Sequence, residues 1–187
     1  MNTKRLLIIG LVVLSLLTLT TAALARSPRQ GQASTLVEVV REATEGFQDV
    51  EDAQAAGYGL FHGCVSSPEE GAMGIHYVNG DLVGDGALDA MQPEAIIYEM
   101  QNGQMRILGV EYVVIAEAWH ATNEAPPVLM GQLFNYVSSP NRYGIPAFYE
   151  LHVWAWERNP NGIFADYNPN VSCEEYNGES AMDETSP

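Results

Sequence analysis

Two histidines and three glutamates in strand-like segments are the residues of this chain best suited to chemistry. Over residues 147–157, period-two alternation puts Phe148, Glu150, His152, Trp154 and Trp156 on one face. Tyr149, Leu151, Val153 and Ala155 fall on the other. A face that mixes a carboxylate, an imidazole and two indoles is not an ordinary core face. Ala95, Ile97 and Glu99 share a face of a second run, and Ile107, Gly109, Glu111 and Val113 share one of a third. Both glutamates then sit among apolar neighbours, where an unpaired charge is costly. His76 shares its face with Ala72, Gly74 and Val78, and small neighbours leave room for something to approach the ring.

If these faces line one cavity, His76, Glu99, Glu111, Glu150 and His152 converge. Two imidazoles with one to three carboxylates suit zinc, iron or manganese, and an open coordination position would make the site catalytic. Without metal, the same set could do general acid–base work, because burial raises a carboxylate pKa towards neutrality. The plainest alternative is a buried hydrogen-bond network in which each histidine pairs with a glutamate. Trp154, Trp156 and Tyr98 are the aromatic candidates for contact with a small ligand. The chain has no H-x-H or H-E-x-x-H spacing and no G-x-S-x-G elbow. His62 and His120 fall in segments read as loops. The glycines and acids of 80–86 lack the order of a calcium-binding loop. Asn170-Val171-Ser172 is a glycosylation sequon.

The elements that must position these residues are legible in outline. Thr35 and Glu38 have capping-box spacing, and Leu36, Val37, Val39, Val40 and Ala43 form one helical stripe ending near Gly46. Asp49 can cap a shorter helix that Gly57 stops. Strand and turn signals follow. A strand is expected over 72–78, and Gln101-Asn102-Gly103 should turn a hairpin between runs 94–100 and 104–115. A connection with one helical turn fits 116–127, a weaker strand 128–137, a loop 138–146 and a long strand 147–157.

Helices first and antiparallel strands after them predict an α+β domain, its N-terminal helices packed on a curved antiparallel sheet. That order is similar to the cone-shaped sheets of nuclear-transport-factor-like folds. A small antiparallel β-barrel resembling cupins or lipocalins is the competing architecture.

Residues 1–25 read as a signal peptide. Lys4 and Arg5 precede an apolar run from Leu6 to Leu19, and Ala23-Leu24-Ala25 has the small-x-small pattern of a cleavage site. The run is shorter than the ~20 apolar residues of a membrane span. This reading makes the protein secreted or periplasmic, with no membrane association after cleavage. It divides the rest into a flexible stretch 26–33, one domain over 34–173 and a disordered acidic tail 174–187. The 187-residue chain carries a formal net charge of −16. After residue 25 the only basic side chains are arginines, against all 24 acidic residues. Nucleic acid is thereby excluded as a partner, since binding it needs basic patches that release counterions. Cys64 and Cys173 match no redox or zinc spacing, and in an oxidising compartment they are expected to form one disulfide.

Several segments together resemble a family of exported bacterial proteins with no assigned activity. They are Gly-Ala-Met-Gly-Ile-His-Tyr-Val-Asn (71–79), Pro-Glu-Ala-Ile-Ile-Tyr-Glu (93–99) and Gly-Val-Glu-Tyr (109–112), with Tyr-Glu-Leu-His-Val-Trp-Ala-Trp (149–156) and Phe-Ala-Asp-Tyr-Asn-Pro (164–169). The resemblance covers about residues 45–173 and implies one domain; it implies no mechanism and no catalytic residue. The functional expectation is therefore an exported, acidic domain that binds a small ligand or a metal ion in a His/Glu/aromatic pocket. The alternatives are a metal-dependent enzyme using the same residues and a structural or protein-interaction module.

Overall fold

The computed structural model describes residues 28–178 and 182–183. The signal-peptide reading of residues 1–25 lies outside them, as do residues 179–181 and 184–187 of the acidic tail. Helix α1 (Pro28–Ala43), a 3-10 turn (Glu45–Phe47) and α2 (Val50–Ala55) open the described chain. Strands β1 (Gly59–Ser67) and β2 (Gly71–Val78) follow, then α3 (Gly80–Gly84), β3 (Ala95–Gln101), β4 (Gln104–Ile115) and α4 (Ala116–His120). The two-residue strands β5 (Val128–Leu129) and β6 (Gln132–Leu133) pair with each other. Strands β7 (Asn135–Val137), β8 (Phe148–Val153) and β9 (Met182–Asp183) complete the order.

The main sheet runs β7-β8-β4-β3-β2-β1-β9, antiparallel throughout except for the short β9 beside β1. It curls into a half-barrel, giving the expected α+β architecture rather than a closed barrel. The hairpin at Asn102-Gly103 forms with Gln101 opposite Gln104. Both turn residues have positive φ, 52° and 75°, the twist that a two-residue turn needs to match its strands. Asp49 caps α2 by accepting from Glu51 N, and Gly57 leaves the helix at φ 96°.

The two faces of the sheet have different occupants. One face presents Ile75, Tyr77, Ile96, Tyr98, Val110, Tyr112, Leu151 and Val153 to Leu36 and Val40 of α1 and Ala53 of α2. Each fully buried aliphatic side chain here stabilises the fold by roughly 1.5–3 kcal/mol. Three tyrosine hydroxyls fasten the overlying layer by donating to carbonyls: Tyr58 to Pro93, Tyr98 to Phe47 and Tyr112 to Ala90. The other face carries the histidines and glutamates. A smaller apolar cluster of Ala72, Ile97, Leu108, Trp154 and Val171 packs at one end of it. Cys64 of the helix-side core is joined to Cys173, which packs against both clusters, tying β1 to the segment that follows residue 168.

Several expectations are corrected. Helix α1 begins at Pro28, inside the stretch read as flexible, because proline in a first turn forfeits no helical hydrogen bond. Thr35 is therefore interior to the helix, and its hydroxyl donates back to the Gly31 carbonyl instead of capping. Strand β1 had no sequence signal because a bulge at His62-Gly63 interrupts its alternation; the register jumps from Phe61↔His76 to Cys64↔Ile75. The run 128–137 splits into three short strands. The run 147–157 ends as a strand at Val153. Trp154 N bonds Ile163 O, while Trp156 N and Glu157 N share the Leu108 carbonyl. Leu108 is an extra residue in β4, since Ile97 pairs with Gly109 and Tyr98 with Ile107. Ile107 consequently faces the helices, opposite to the face of Glu111.

Candidate metal centre

His76, Glu111 and His152 come from three strands of the same face. Glu111 of β4 lies opposite His152 of β8 and, on its other side, opposite Ala95 of β3. His76 belongs to β2, two strands from β4, a backbone separation of roughly 10 Å at ordinary strand spacing. The sheet's curl and the single methyl of the intervening Ala95 allow the side chains to close that gap. His76 Nε2 lies 3.4 Å from Glu111 Oε2. The His76 and His152 rings stand perpendicular with centroids 5.8 Å apart. Ligating atoms of all three residues fall within 4.8 Å of one another. All three are buried.

Around this triad stand two more carboxylates. Glu150 lies two residues from His152 on the same face and hydrogen bonds to Glu111. Asp166, from the loop after β8, brings Oδ1 to 3.4 Å from His152 Nδ1. Asn135 of β7 donates to the same oxygen at 3.3 Å. The Asp166 loop is held by Trp154, whose indole donates to Ala165 O and whose amide bonds Ile163 O. Glu150, His152 and Asp166 form a second set with ligating atoms within 4.8 Å.

His152 is the unusual member. Its ring is 1 % exposed, yet neither nitrogen has a hydrogen-bond partner among the described residues. The Asp166 oxygen is close enough to attract Nδ1 electrostatically but is not aligned as an acceptor. An unmet buried donor or acceptor costs about 1–3 kcal/mol, so native proteins rarely keep one without a reason.

The electrostatics divide the two imidazoles. Burial pulls His76 down to about 4, against the opposing effect of Glu111, so its ring is neutral near pH 7 with a lone pair to give. Burial works the same way on His152, but Glu111, Asp166 and Glu150 outweigh it and raise the ring to about 9. Burial, reinforced by the charge of Glu111, pushes the Glu150 carboxyl well above the usual carboxylate range. Asp166 is held low despite burial by its contact with His152. Once His152 gives up its proton, two imidazoles and a carboxylate are a zinc, iron or manganese donor set with a position left open. In a tetrahedral site with bonds of about 2.0–2.1 Å, neighbouring ligand atoms stand roughly 3.4 Å apart, the separation of His76 Nε2 and Glu111 Oε2.

The other site candidates lie elsewhere. Glu99 sits two residues beyond Ile97, roughly 7 Å further along the strand. There its oxygens are taken by Arg106 Nη2 at 2.8 Å and Ser172 N at 3.0 Å, so it does not join the triad. Trp154 packs with Ile97 and Leu108. Trp156 is carried to the helix side by the turn after Val153, where its indole donates to Thr44 Oγ1. Tyr98 is on the helix side too. None of these three aromatics lines the cavity beside the triad. Gly74 leaves no approach to His76, because a Cβ there would meet the Tyr98 carbonyl oxygen at 2.7 Å and Ile97 and Leu108 beyond it.

The approach is from the opposite side. A cavity of about 380 Å³ lies between β1, α3 and the loop 143–146, with His76, Glu111 and Val113 on its wall. His62 lines it as well. Read as a loop residue, it belongs to the β1 bulge, at φ 58°, with its Nε2 3.1 Å from the Tyr143 carbonyl. A positive φ at a non-glycine residue beside a cavity is a form of strain that clusters at functional sites. His120 closes α4, with its Nε2 against the Tyr149 hydroxyl at 2.9 Å, away from the triad. Asp166 and His62 are the site residues that sequence reading missed. Asp166 lies in a loop with no periodicity, and the bulge removed the alternation that would have sorted His62.

Comparison with known protein families, with curated proteins and with solved structures returns no match for this chain.

Proposed function

We propose that this chain is an exported protein that binds a divalent transition-metal ion between His76, Glu111 and His152. The observation that carries the reading is the His152 ring, buried and without a hydrogen-bond partner on either nitrogen, beside a neutral imidazole and a carboxylate. An ion at this point would satisfy His152 with one nitrogen while Asp166 orients the ring through the other, as partners of metal-bound histidines do. Zinc, iron(II) and manganese(II) all suit the donor set. The Cys64–Cys173 disulfide supports an oxidising compartment, as do the signal-like N-terminus and the resemblance to exported bacterial proteins.

Metal analysis of protein purified without chelator, followed by zinc titration, tests this. One ion per chain is expected, and His152→Ala and His76→Ala should each abolish it. Failure of the intact protein to take up zinc, iron(II) or manganese(II) at micromolar concentration would overturn it.

A second reading, catalysis at the same centre, is favoured by Glu150. Its raised pKa keeps the carboxyl protonated near neutral pH, as a general acid beside the metal ligands would need. Activated-ester hydrolysis by the zinc-loaded protein that is lost in Glu150→Gln with metal retained would support it. Equal rates in the two proteins would count against it.

A further inference from the structure

We infer that the cavity beside the triad seats a small, largely apolar carboxylic acid, its tail along the cavity and its carboxylate on the metal's open position. The inference rests on the metal reading above and adds to it the class of ligand.

The cavity's shape and lining lead to the tail. Its volume of about 380 Å³ is within the ordinary range of small-molecule sites. Leu60 and Phe61 of β1, Val83 of α3, Val113 and Ile115 of β4 and Phe148 of β8 make most of its wall apolar. A polar or strongly hydrated molecule would lose water there without replacement.

The polar groups lead to the head. His62, His76, Glu111 and Tyr143 are the hydrogen-bonding side chains on the wall, and two of them are already engaged. His62 Nε2 faces the Tyr143 carbonyl at 3.1 Å, and the Tyr143 hydroxyl donates to Met73 Sδ at 3.7 Å. The remaining polar point is therefore the His76–Glu111 pair, which opens the cavity onto the triad. Among the described residues Glu111 is the only carboxylate on that wall, and alone it would repel an anion. On the cavity wall itself a divalent ion meets this one carboxylate and leaves net positive charge facing the cavity, since Glu150 is not among the residues that line it. Asp166 stands beyond His152, outside the cavity lining, with its charge directed to Nδ1. An anionic oxygen donor is then the complement of the open position. The ion should thus change the preference of the cavity from neutral to anionic head groups.

The test is calorimetry on the disulfide-intact exported protein, loaded with one zinc per chain or stripped of it, with octanoate, octan-1-ol and acetate as probes. Octanoate is expected to bind the loaded protein at least about tenfold more tightly than the stripped one, as an added charge pair in a dry site should. It should also exceed acetate by about tenfold or more, because the buried tail contributes with each methylene. Octan-1-ol should show no such dependence on zinc. Val83→Trp, or Leu60→Trp, half exposed at 52 %, should fill the space and abolish octanoate binding while zinc stays at one per chain. Octanoate affinity that is equal with and without zinc, or unchanged in both tryptophan variants, overturns the inference. So does zinc uptake with no octanoate binding, which leaves the metal reading standing. Failure to bind zinc at all removes the metal reading and this inference with it.

Discussion

One face of the sheet buries carboxylates at both ends and treats them in opposite ways. At one end Glu99 accepts from Arg106 Nη2 and Ser172 N, and Arg106 also reaches Glu157 Oε2 at 2.6 Å. Every oxygen of Glu99 has its own donor. At the other end Glu111 and Glu150 lie together, and the imidazole that should answer them keeps both nitrogens unbonded. In the first cluster both carboxylate oxygens are answered and only Arg106 Nε goes without a partner, whereas in the second both nitrogens of the central imidazole do. A buried charge is thus informative about function through what its partners leave unmet, rather than through burial itself.

Glu94 offers a third case on the helix side. It is almost fully buried and accepts from Val113 N at 3.0 Å, with no ion pair among the described residues. Burial raises its carboxyl to about 8, so the folded state favours the protonated form.

These contrasts can be broken or sharpened experimentally. The largest effect should come from the disulfide, which anchors the segment that supplies Ser172 N to Glu99. Cys64→Ala with Cys173→Ala should cost about 2–5 kcal/mol in urea unfolding. Zinc stoichiometry should stay at one, because the triad is held by strands. Loss of zinc together with stability would show that the two ends are not independent.

Glu94 should make its own separable contribution to the pH dependence of stability. Its folded pKa of about 8 exceeds the ordinary 4.5, so its contribution is complete below 4.5 and is lost as pH rises through 8. Glu94→Gln should remove that decline and make the protein more stable than the parent at pH 8, by an amount on the order of 2–4 kcal/mol. Parallel curves for the two proteins across pH 5–9 would refute the assignment.

Arg106→Ala should leave Glu99 buried with one backbone donor. Breaking such a pair costs several kcal/mol when both partners are buried, and the partial exposure of Arg106 reduces this to about 2–3 kcal/mol. Zinc affinity should not move; a fall in affinity would mean that the Glu99 cluster supports the metal site after all.

The smallest and most discriminating change is Asp166→Asn. If Asp166 orients His152 on a metal, zinc affinity should drop about 10–100-fold with little change in unfolding midpoint. An unchanged affinity would separate Asp166 from the metal centre.

How far the site could be read in advance depended on whether the signal was local. The strand faces of His76, Glu111, Glu150 and His152 followed from alternation, and these four do meet on one face. The same rule misassigned Ile107 and Trp156, because the extra residue at Leu108 and the turn after Val153 each break the alternation. The separation of Glu99 was not legible, since its partners Arg106 and Ser172 are chosen by hairpin register and by a segment 73 residues away.

The sequence by itself determined the Asn102-Gly103 hairpin, the Asp49-capped helix, the order of helices before strands and the two cysteines available for a bridge. Each of these rests on interactions among residues close in the chain, or on there being a single pairing to make. Only the tertiary structure decided that the sheet curls so that β2 reaches β4 across Ala95, that Asp166 arrives beside His152, and that the cavity opens on His76 from the side away from Gly74. Those outcomes depend on bulges and on packing between distant segments, where a shift of one residue redirects a side chain to the opposite face.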